Sequence, residues 1–141
     1  MSREYPDRPF VGVGVVVWRG PELLLIQRGK APRYGSWSLP GGRQKLGETV
    51  REAAQREVKE ETNLDVEITD LIDVVDSLTR DDDGRVRFHY TLVDFTAEWR
   101  AGEAVAGSDA AGVRWVDPSD LDPYELWDET RRIIALSAEG R

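Results

Sequence analysis

The stretch that decides the fold runs from residue 41 to residue 64, with the sequence GGRQKLGETVREAAQREVKEETNL. Thr49 followed by Glu52 is a capping-box pattern, which predicts a helix that begins there and ends near Thr62. Each helical residue advances about 100° around the axis, so the residues within about 60° of Glu57 share one face. That face holds Val50, Ala53, Ala54, Glu57, Glu60, Glu61 and Leu64. Such spacing is typical of a helix surface that packs against a core.

Three glutamates, Glu57, Glu60 and Glu61, lie on this predicted buried face. A buried carboxylate without a partner raises its pKa or needs a cation, and the neighbouring Arg56 can pair with one of the three but cannot neutralise all of them. A solvated acidic patch is the alternative, but the helix dipole disfavours negative charge in the C-terminal half of a helix. Oxygen ligands within one helical turn suit hard cations, so the helix predicts a site for Mg²⁺ or Mn²⁺.

The loop before the helix predicts contact with an anionic ligand. Pro40-Gly41-Gly42 permits a close approach of the backbone to a ligand, although a glycine pair by itself indicates only a turn. The carbonyl groups of this loop can join a metal shell, and its amides can meet phosphate oxygens. Nearby cations for an anionic substrate are Arg28, Lys30, Arg33, Arg43 and Lys45. Helix and loop together therefore point to a site for a metal ion and an anionic substrate.

A longer pattern links this loop and helix. The residues that form it are Gly42, Glu48, Arg56-Glu57-Val58, Glu60-Glu61 and Leu64. Their spacing resembles the Nudix box, in which five residues separate a glycine from a glutamate and seven more precede an Arg-Glu pair. Eight of the nine specified positions match, and the departure is Asn63, where the family has glycine. That position resembles a helix C-cap with a left-handed backbone. Asparagine is the next-best residue there, so we expect little effect on the chemistry.

The resemblance to the Nudix hydrolase family covers most of the chain and implies an α/β fold. This fold is an α-β-α sandwich, in which a mixed, curved sheet lies between helices and the box forms a loop-helix-loop. We expect a single domain over residues 10–141, preceded by an N-terminal arm at residues 1–9. The resemblance also implies hydrolysis, supported by Mg²⁺ or Mn²⁺, of a nucleoside diphosphate linked to another group.

Matched positions of the box imply a role for each of its acidic residues. Glu57, Glu60 and Glu61 would bind metal, and the carbonyl group of Gly41 would contribute to the same shell. Glu48 would lie at the edge of the site, as a supporting group or as a ligand of a second metal ion. The metal would lower the pKa of a bound water and neutralise the pyrophosphate oxygens, so that water displaces one phosphate from the other in line.

The resemblance also implies catalytic and substrate-binding residues around this metal site. Arg56 would orient a glutamate through a bidentate hydrogen bond. The identity of the general base stays open, and the candidates are Glu57, Glu60, Glu61, Asp109 and Glu103. Asp109 is a candidate because Gly107-Ser108-Asp109 resembles the segment in which MutT-like members place an extra acidic ligand; an ordinary acidic loop residue is the alternative. Substrate contacts are expected from Arg28, Trp37, Gly42 and Arg43. Trp37 can stack on a base, although packing beneath the loop is the favoured interpretation.

The remaining sequence predicts further strands and a second helix. Strands are expected at residues 10–18, 23–28, 66–79, 85–99 and 113–116, and the second helix at residues 124–137. Turn signals at residues 19–22 and 81–84 each join two strands into a hairpin. Residues 29–42 predict a long loop around a short apolar stretch. Packing or ordinary strand positions are expected for Trp18, Trp99, Trp115, Trp127 and His89.

The composition limits the class of function. The chain has 141 residues, a net charge of −8, one histidine and no cysteine, which excludes disulfides, thiolate metal sites and multi-histidine zinc sites. No apolar run is long enough to span a membrane and no signal-peptide pattern is present, so we expect a cytoplasmic protein. The negative charge disfavours binding to nucleic-acid polymers. A small nucleotide is the expected partner. The oligomeric state is not predicted, and a homodimer is possible because dimers are common in the family.

The sequence leaves three interpretations of the substrate. The overall layout resembles small bacterial members grouped with ADP-ribose pyrophosphatases, which favours ADP-ribose or a related sugar nucleotide. MutT-like hydrolysis of oxidised or canonical nucleoside triphosphates is the nearest rival, and hydrolysis of dinucleoside polyphosphates is third. A fourth possibility belongs to another class, a non-catalytic Nudix-fold nucleotide sensor. Such a sensor is expected to have lost box carboxylates, and all of them are present here.

Overall fold

The valine-rich stretch that begins at Phe10 forms the central strand of a seven-stranded sheet. The computed structural model describes residues 3–30, 33–107 and 109–141. In chain order the elements are β1 (Phe10–Arg19), β2 (Glu22–Arg28), β3 (Trp37–Ser38), β4 (Gly41–Arg43), α1 (Val50–Thr62), β5 (Asp65–Arg80), β6 (Val86–Ala101), β7 (Ala110–Val116) and α2 (Asp128–Glu139). Two short 3₁₀ turns, Pro118–Asp120 and Asp122–Tyr124, precede α2.

The sheet is mixed and forks at its central strand. The main strand order is β3-β2-β1-β6-β5, and the β1–β6 pair is parallel whereas the other pairs are antiparallel. The other edge of β1 is shared, because Gly12–Gly14 pair with β4 whereas Trp18 and Arg19 pair with β2. Between these two segments, the amide of Val15 donates to the carbonyl oxygen of Pro40 over 2.9 Å. The fork therefore carries the glycine-rich strand β4 away from β2 and toward α1.

Hydrophobic side chains cover both faces of the sheet, and each face has its own helix. The cluster on the α1 face is Val13, Val15, Val17, Leu24, Ala53, Ala54, Val58, Leu64, Phe95 and Ala97. The cluster on the α2 face is Val16, Trp18, Leu23, Leu25, Val75, Val116, Leu121, Leu126, Ile133 and Ile134. Neighbouring residues of β1 belong to opposite clusters because side chains alternate along a strand. The result is an α-β-α sandwich, which confirms the predicted fold class.

Helix α1 begins and ends as its sequence predicts. The Thr49 hydroxyl accepts from the amide of Glu52 over 3.1 Å, and the Glu52 carboxylate accepts from the amide of Thr49 over 2.8 Å. At the other end, Asn63 adopts the left-handed backbone with φ 65°, and its amide donates to the carbonyl oxygen of Lys59. The amide of Gly107 donates to the Glu61 carbonyl over 2.9 Å, so the segment before β7 covers the helix terminus.

The second helix begins later than the sequence predicts. It starts at Asp128 rather than at residue 124, because Asp122–Tyr124 forms a 3₁₀ turn and Glu125 has a left-handed φ of 51°. The expected packing role of Trp127 is wrong, since this residue precedes the helix and is 49% exposed. Trp18 does pack, and its indole N–H donates to the Ser137 hydroxyl over 2.9 Å.

The other predicted elements agree with the structure except in one loop. Both predicted hairpins form, and the strand predicted at residues 113–116 begins earlier, at Ala110. The loop predicted at residues 29–42 contains the short strands β3 and β4. Residues 1, 2, 31, 32 and 108, which belong to the predicted arm, this loop and the Asp109 segment, lie outside the described residues. Within the described ranges, neither helix is long and apolar enough to cross a membrane.

The left-handed cap at Asn63 generates a stability prediction. Asn63→Ala should lower the free energy of unfolding by about 1 kcal/mol, because a β-carbon without a local polar group disfavours positive φ. Asn63→Gly should match or exceed the wild-type protein, since glycine adopts this conformation without strain. Urea unfolding followed by tryptophan fluorescence measures both values. An alanine variant as stable as the glycine variant would contradict the proposed role of the cap.

Candidate active site

The glycine pair of β4 lies directly against the acidic face of α1. A β-carbon at Gly42 would stand 2.4 Å from the Glu57 carboxyl carbon, and one at Gly41 would stand 2.0 Å from the carbonyl oxygen of Val13. Neither position can hold a side chain without displacing its neighbour. The two glycines therefore bring backbone atoms into contact with the helix carboxylates.

Glu61 is the most deeply buried of the acidic residues on this helix. The residue is 9% exposed, and its carboxylate accepts from the amide of Gly41 over 2.8 Å. Burial raises the pKa of Glu61 to about 8, against the opposing effect of the Gly41 hydrogen bond. Repulsion from Glu57, Asp109 and Glu60 raises this pKa further. Glu61 is thus a desolvated acid that lacks a neutralising cation among the side chains the structure describes.

Arg56 holds the other acidic residues of the box. Its guanidinium group donates to both oxygens of Glu48 over 2.9 and 2.7 Å, to Glu57 over 2.8 Å and to Glu60 over 3.2 Å. It also donates to the carbonyl oxygen of Arg43 over 3.1 Å, so it ties the helix to the loop. Arg56 thus contacts two of the three helix glutamates and does not reach all three. The bidentate pair that it forms is with Glu48.

Arg56 lowers the pKa values of both Glu48 and Glu57, but the net shifts of these two groups differ in direction because of burial. The hydrogen bonds from Arg56, with a further one from the backbone of Lys45, lower the pKa of Glu48 to about 2. Burial raises the pKa of Glu57, and the hydrogen bond from Arg56 only partly offsets that effect. Glu48 is therefore an ionised partner of Arg56, whereas burial disfavours the charged form of Glu57, as it does that of Glu61.

The buried side of α1, here called its buried arc, is rotated about the helix axis relative to the side that the sequence predicts. Val58 is fully buried, whereas the side chain of Glu60 is 44% exposed. The helix packs with its Ala54–Val58–Glu61 side toward the sheet, so Glu60 lies at the rim of the buried arc. The expected burial of all three glutamates is thus right for Glu61, partly right for Glu57 and wrong for Glu60. The exposed position leaves the Glu60 carboxylate accessible to a ligand from solvent.

The donor set of this cluster fits a hard divalent cation. Glu57, Glu60 and Glu61 lie within little more than one turn of α1, and the backbone of Gly41 adjoins them. All their donor atoms are oxygens, which is the set that Mg²⁺ and Mn²⁺ prefer. Within the described ranges no three such side chains converge on one point, and Arg56 engages two of these three. A cation would supply the positive charge that buried Glu61 lacks.

The predicted substrate-binding residues occupy two places in the structure. Gly42 and Arg43 adjoin the glutamates on β4, where the Arg43 guanidinium lies 4.6 Å from the centre of the Phe10 ring. Arg28 lies at the end of β2 and donates to the Lys30 carbonyl. Trp37 packs on the α2 face, with its ring 5.2 Å from that of Tyr124 in an edge-on arrangement. The packing interpretation of Trp37 therefore fits the structure.

The two acidic residues proposed outside the box have different surroundings. Asp109 forms an ion pair with Lys30 over 2.9 Å, and its charge acts on Glu61. Glu103 is exposed, and its carbonyl oxygen accepts from the Asn63 side chain over 3.4 Å. Asp109 therefore lies close enough to the carboxylate cluster to affect it, whereas the contact of Glu103 is with the end of the helix.

One buried acid, Asp94, is not among the residues predicted from the sequence. Asp94 lies in the middle of β6 and is 6% exposed, and burial raises its pKa to about 6. Its sequence signal is an aspartate in an otherwise apolar stretch of a predicted strand, flanked by Val93 and Phe95. The strand pattern alone does not say which face this aspartate occupies, so the signal could have identified the residue but not its neighbours.

Comparisons with known proteins agree with this fold and site. The family model described as the NUDIX domain matches residues 8–136. An ADP-ribose pyrophosphatase from Methanocaldococcus jannaschii is 37% identical over 113 residues, which are 80% of this chain and 64% of that protein. The human 8-oxo-dGDP phosphatase NUDT18 is 48% identical over 65 residues, which are 46% of this chain and 20% of that protein. This chain thus spans less than two thirds of either relative.

A solved structure matches over nearly the whole chain. The crystal structure of a MutT NUDIX hydrolase from Burkholderia pseudomallei has a TM-score of 0.79 and 31% sequence identity. The match covers 92% of this chain and 98% of that one. Together these similarities show that the chain belongs to the NUDIX family.

Proposed function

We propose that this chain is a pyrophosphohydrolase that uses Mg²⁺ or Mn²⁺ to cleave a nucleoside diphosphate linked to another group. NUDIX proteins generally need divalent metal ions. The observation that carries the proposal is Glu61, a buried carboxyl group that contacts the backbone of Gly41 and lacks a cation among the described side chains. A divalent metal ion and the phosphates of a substrate complete this arrangement chemically, because the metal neutralises both sets of negative charge.

Each residue of the cluster has a defined task under this proposal. Glu57, Glu60 and Glu61, with the carbonyl group of Gly41, hold the metal, which activates water and neutralises phosphate oxygens when bound. Glu48 fixes the orientation of Arg56 and lies at the edge of the site. Arg56 in turn orients Glu57 and Glu60.

The substrate is held by groups around these carboxylates. Gly42 and Arg43 are proposed contacts of the phosphates, and Arg28 and Trp37 are proposed contacts of the rest of the substrate. One carboxylate takes the proton of the attacking water. Asp109, within electrostatic reach of Glu61, is a further candidate for that step.

Two substrate classes follow from the comparisons. ADP-ribose or a related sugar nucleotide is supported by the archaeal relative, whose match covers 80% of this chain. The alternative, an oxidised nucleoside triphosphate or diphosphate, is supported by the human relative, which is named an 8-oxo-dGDP phosphatase. A nucleotide sensor without activity is disfavoured, because every charged residue of the box is retained. A homodimer and a cytoplasmic location remain predictions from the sequence.

A substrate panel tests the proposed activity. The protein with Mg²⁺ or Mn²⁺ should hydrolyse ADP-ribose, another sugar nucleotide, or a canonical or oxidised triphosphate, with a nucleoside monophosphate among the products. Chromatography of the products measures the rate and identifies the bond that breaks. Diadenosine polyphosphates complete the panel. Tight binding of one compound with no turnover of any would contradict the proposal and favour the sensor.

The metal role of Glu61 gives a second prediction. Glu61→Gln should lower kcat by about two orders of magnitude or more, since an amide oxygen is a weaker ligand than a carboxylate. The variant should also need more Mn²⁺ for half-maximal binding, measured by calorimetry on protein freed of metal. Glu139→Gln, at the exposed end of α2, is the matched control and should behave as the wild-type protein. Equal metal affinity in both variants would argue against Glu61 as a ligand.

The contact between β4 and α1 gives a third prediction. Gly42→Ala places a methyl group where the Glu57 carboxyl group lies, so kcat should fall at least about tenfold through misplacement of that carboxylate. Gly140→Ala, at the end of α2, is the matched control, because its added carbon meets the backbone oxygens of Ser137 and Leu136 at 3.7 Å or beyond. Steady-state kinetics measures both variants, and circular dichroism checks the fold. An unimpaired Gly42→Ala enzyme would show that this close approach is unnecessary for catalysis.

A further inference from the structure

The β5–β6 hairpin exposes apolar side chains on the face of the sheet that carries α1. Val74 pairs with Val93, which packs against the α1 cluster, so Val74 points to that face. Because side chains alternate along a strand, Leu78 shares this face, and Val11 shares it with Val13 of the cluster. Val11, Val74 and Leu78, here called the hairpin patch, are between 37% and 48% exposed. An apolar patch of this kind on a sheet face is typical of a protein interface.

Part of the hairpin patch lies on a ribbon that extends past the central strand. β1 begins opposite Tyr90 of β6, so the hairpin beyond that residue consists of two strands. The N-terminal arm supports this ribbon with polar contacts. The amide of Tyr5 donates to the Arg87 carbonyl over 2.7 Å, and its hydroxyl donates to Asp81 over 2.9 Å. A ribbon of two strands is marginally stable by itself, so apolar cover over Leu78 would stabilise it.

Two side chains of opposite charge adjoin the hairpin patch, and neither forms an ion pair with a described residue. Asp76 lies on β5 within the patch and is exposed. Arg51 lies on α1, with its guanidinium 5.3 Å from the centre of the Phe95 ring. Phe95 is four residues along β6 from Thr91, the register partner of Asp76. About 14 Å of sheet therefore separates the two charges, which is too far for a pair within one copy of the chain.

The shape and the charges of this face fit a second copy of the same chain. α1 covers one half of the face and the hairpin patch leaves the other half bare, so the face has a raised half and a low half. A two-fold axis between the halves places α1 of each copy against the hairpin patch of the other. The same rotation brings Arg51 of each copy to Asp76 of the partner subunit. A partner with one sign of charge would leave one of these two residues unpaired, whereas a second copy supplies both.

We propose that the hairpin patch is the interface of a homodimer in which Arg51 of each copy pairs with Asp76 of the partner subunit. The patch supplies the apolar centre of the interface, and the two symmetric ion pairs fix the register of the copies. Arg51 lies about 120° around α1 from Glu57. The carboxylate cluster therefore faces away from the interface and stays accessible to a ligand in the dimer.

Charge reversal tests the pairing between copies. Sedimentation equilibrium measures the dissociation constant of the dimer for the wild-type protein, Arg51→Glu and Asp76→Arg. The wild-type protein should dimerise with a constant in the micromolar range. Each single reversal should raise this constant at least about tenfold, because it places two pairs of like charges at the interface. An equimolar mixture of the two variants should dimerise again, since each introduced charge then faces an opposite one and the native Arg51 faces the native Asp76.

Glu139→Arg is the matched control, since it makes the same change of charge as Asp76→Arg at the exposed end of α2. It should dimerise as the wild-type protein does. Circular dichroism of each variant alone separates loss of the interface from loss of the fold. Arg51→Gln and Asp76→Asn remove the charges without reversing them, so each should weaken the dimer by a smaller factor than the corresponding reversal.

Three results would overturn the proposal. A wild-type protein that stays monomeric well above micromolar concentrations would leave the patch to a different protein partner. Folded single-reversal variants that dimerise as the wild-type protein does would place the dimer interface elsewhere. A mixture of the two folded variants that stays monomeric would show that Arg51 and Asp76 do not pair between copies. Because the readout is mass, a dimer that hydrolyses nothing would contradict the proposed hydrolase alone, and an active monomer would contradict this inference alone.

Discussion

The contact between the glycine pair of β4 and the carboxylates of α1 is the constraint on which the site depends. Gly42 leaves room for the Glu57 carboxyl group, and the amide of Gly41 donates to Glu61. The helix must approach the sheet closely for these contacts to form. Ala53 and Ala54, both fully buried, permit that approach because their side chains are short. Small residues on both surfaces thus set the distance, and the functional carboxylates occupy the space that remains.

Arg56 explains how a helix can carry so many acids near its C-terminal end, where the dipole disfavours them. It contacts Glu48, Glu57 and Glu60, and its bond to the Arg43 carbonyl fixes the loop at the same point. Glu61 receives no such contact from Arg56. The positive charge that the chain supplies is therefore directed to the rim of the cluster, and the innermost carboxyl group is the one that needs a cation from outside.

Local patterns in the sequence predicted most of the fold, and long-range contacts account for what it missed. The capping box at Thr49 and the left-handed cap at Asn63 are set by backbone geometry within a few residues, so both ends of α1 were predictable. The rotation of the buried arc, which exposes Glu60, depends on how the whole helix packs on the sheet. The late start of α2 depends on the left-handed backbone of Glu125, a conformation that its residue type does not suggest.

Long-range contacts also explain why the sequence predicted the box residues but not buried Asp94. The box residues lie close together in sequence, so their spacing alone brings them together on a loop and a helix. Asp94 reaches Gly14 through the parallel pairing of β6 with β1, and sequence gives no signal for that register. Yet Glu61 and Asp94 are alike in their physics, since both are buried acids with a pKa raised first by desolvation. They adjoin the paired glycines Gly41 and Gly14, one on each neighbouring strand. A small domain that keeps a desolvated acid such as Glu61 gives up stability there, and a ligand that supplies a cation to this carboxyl group would restore it.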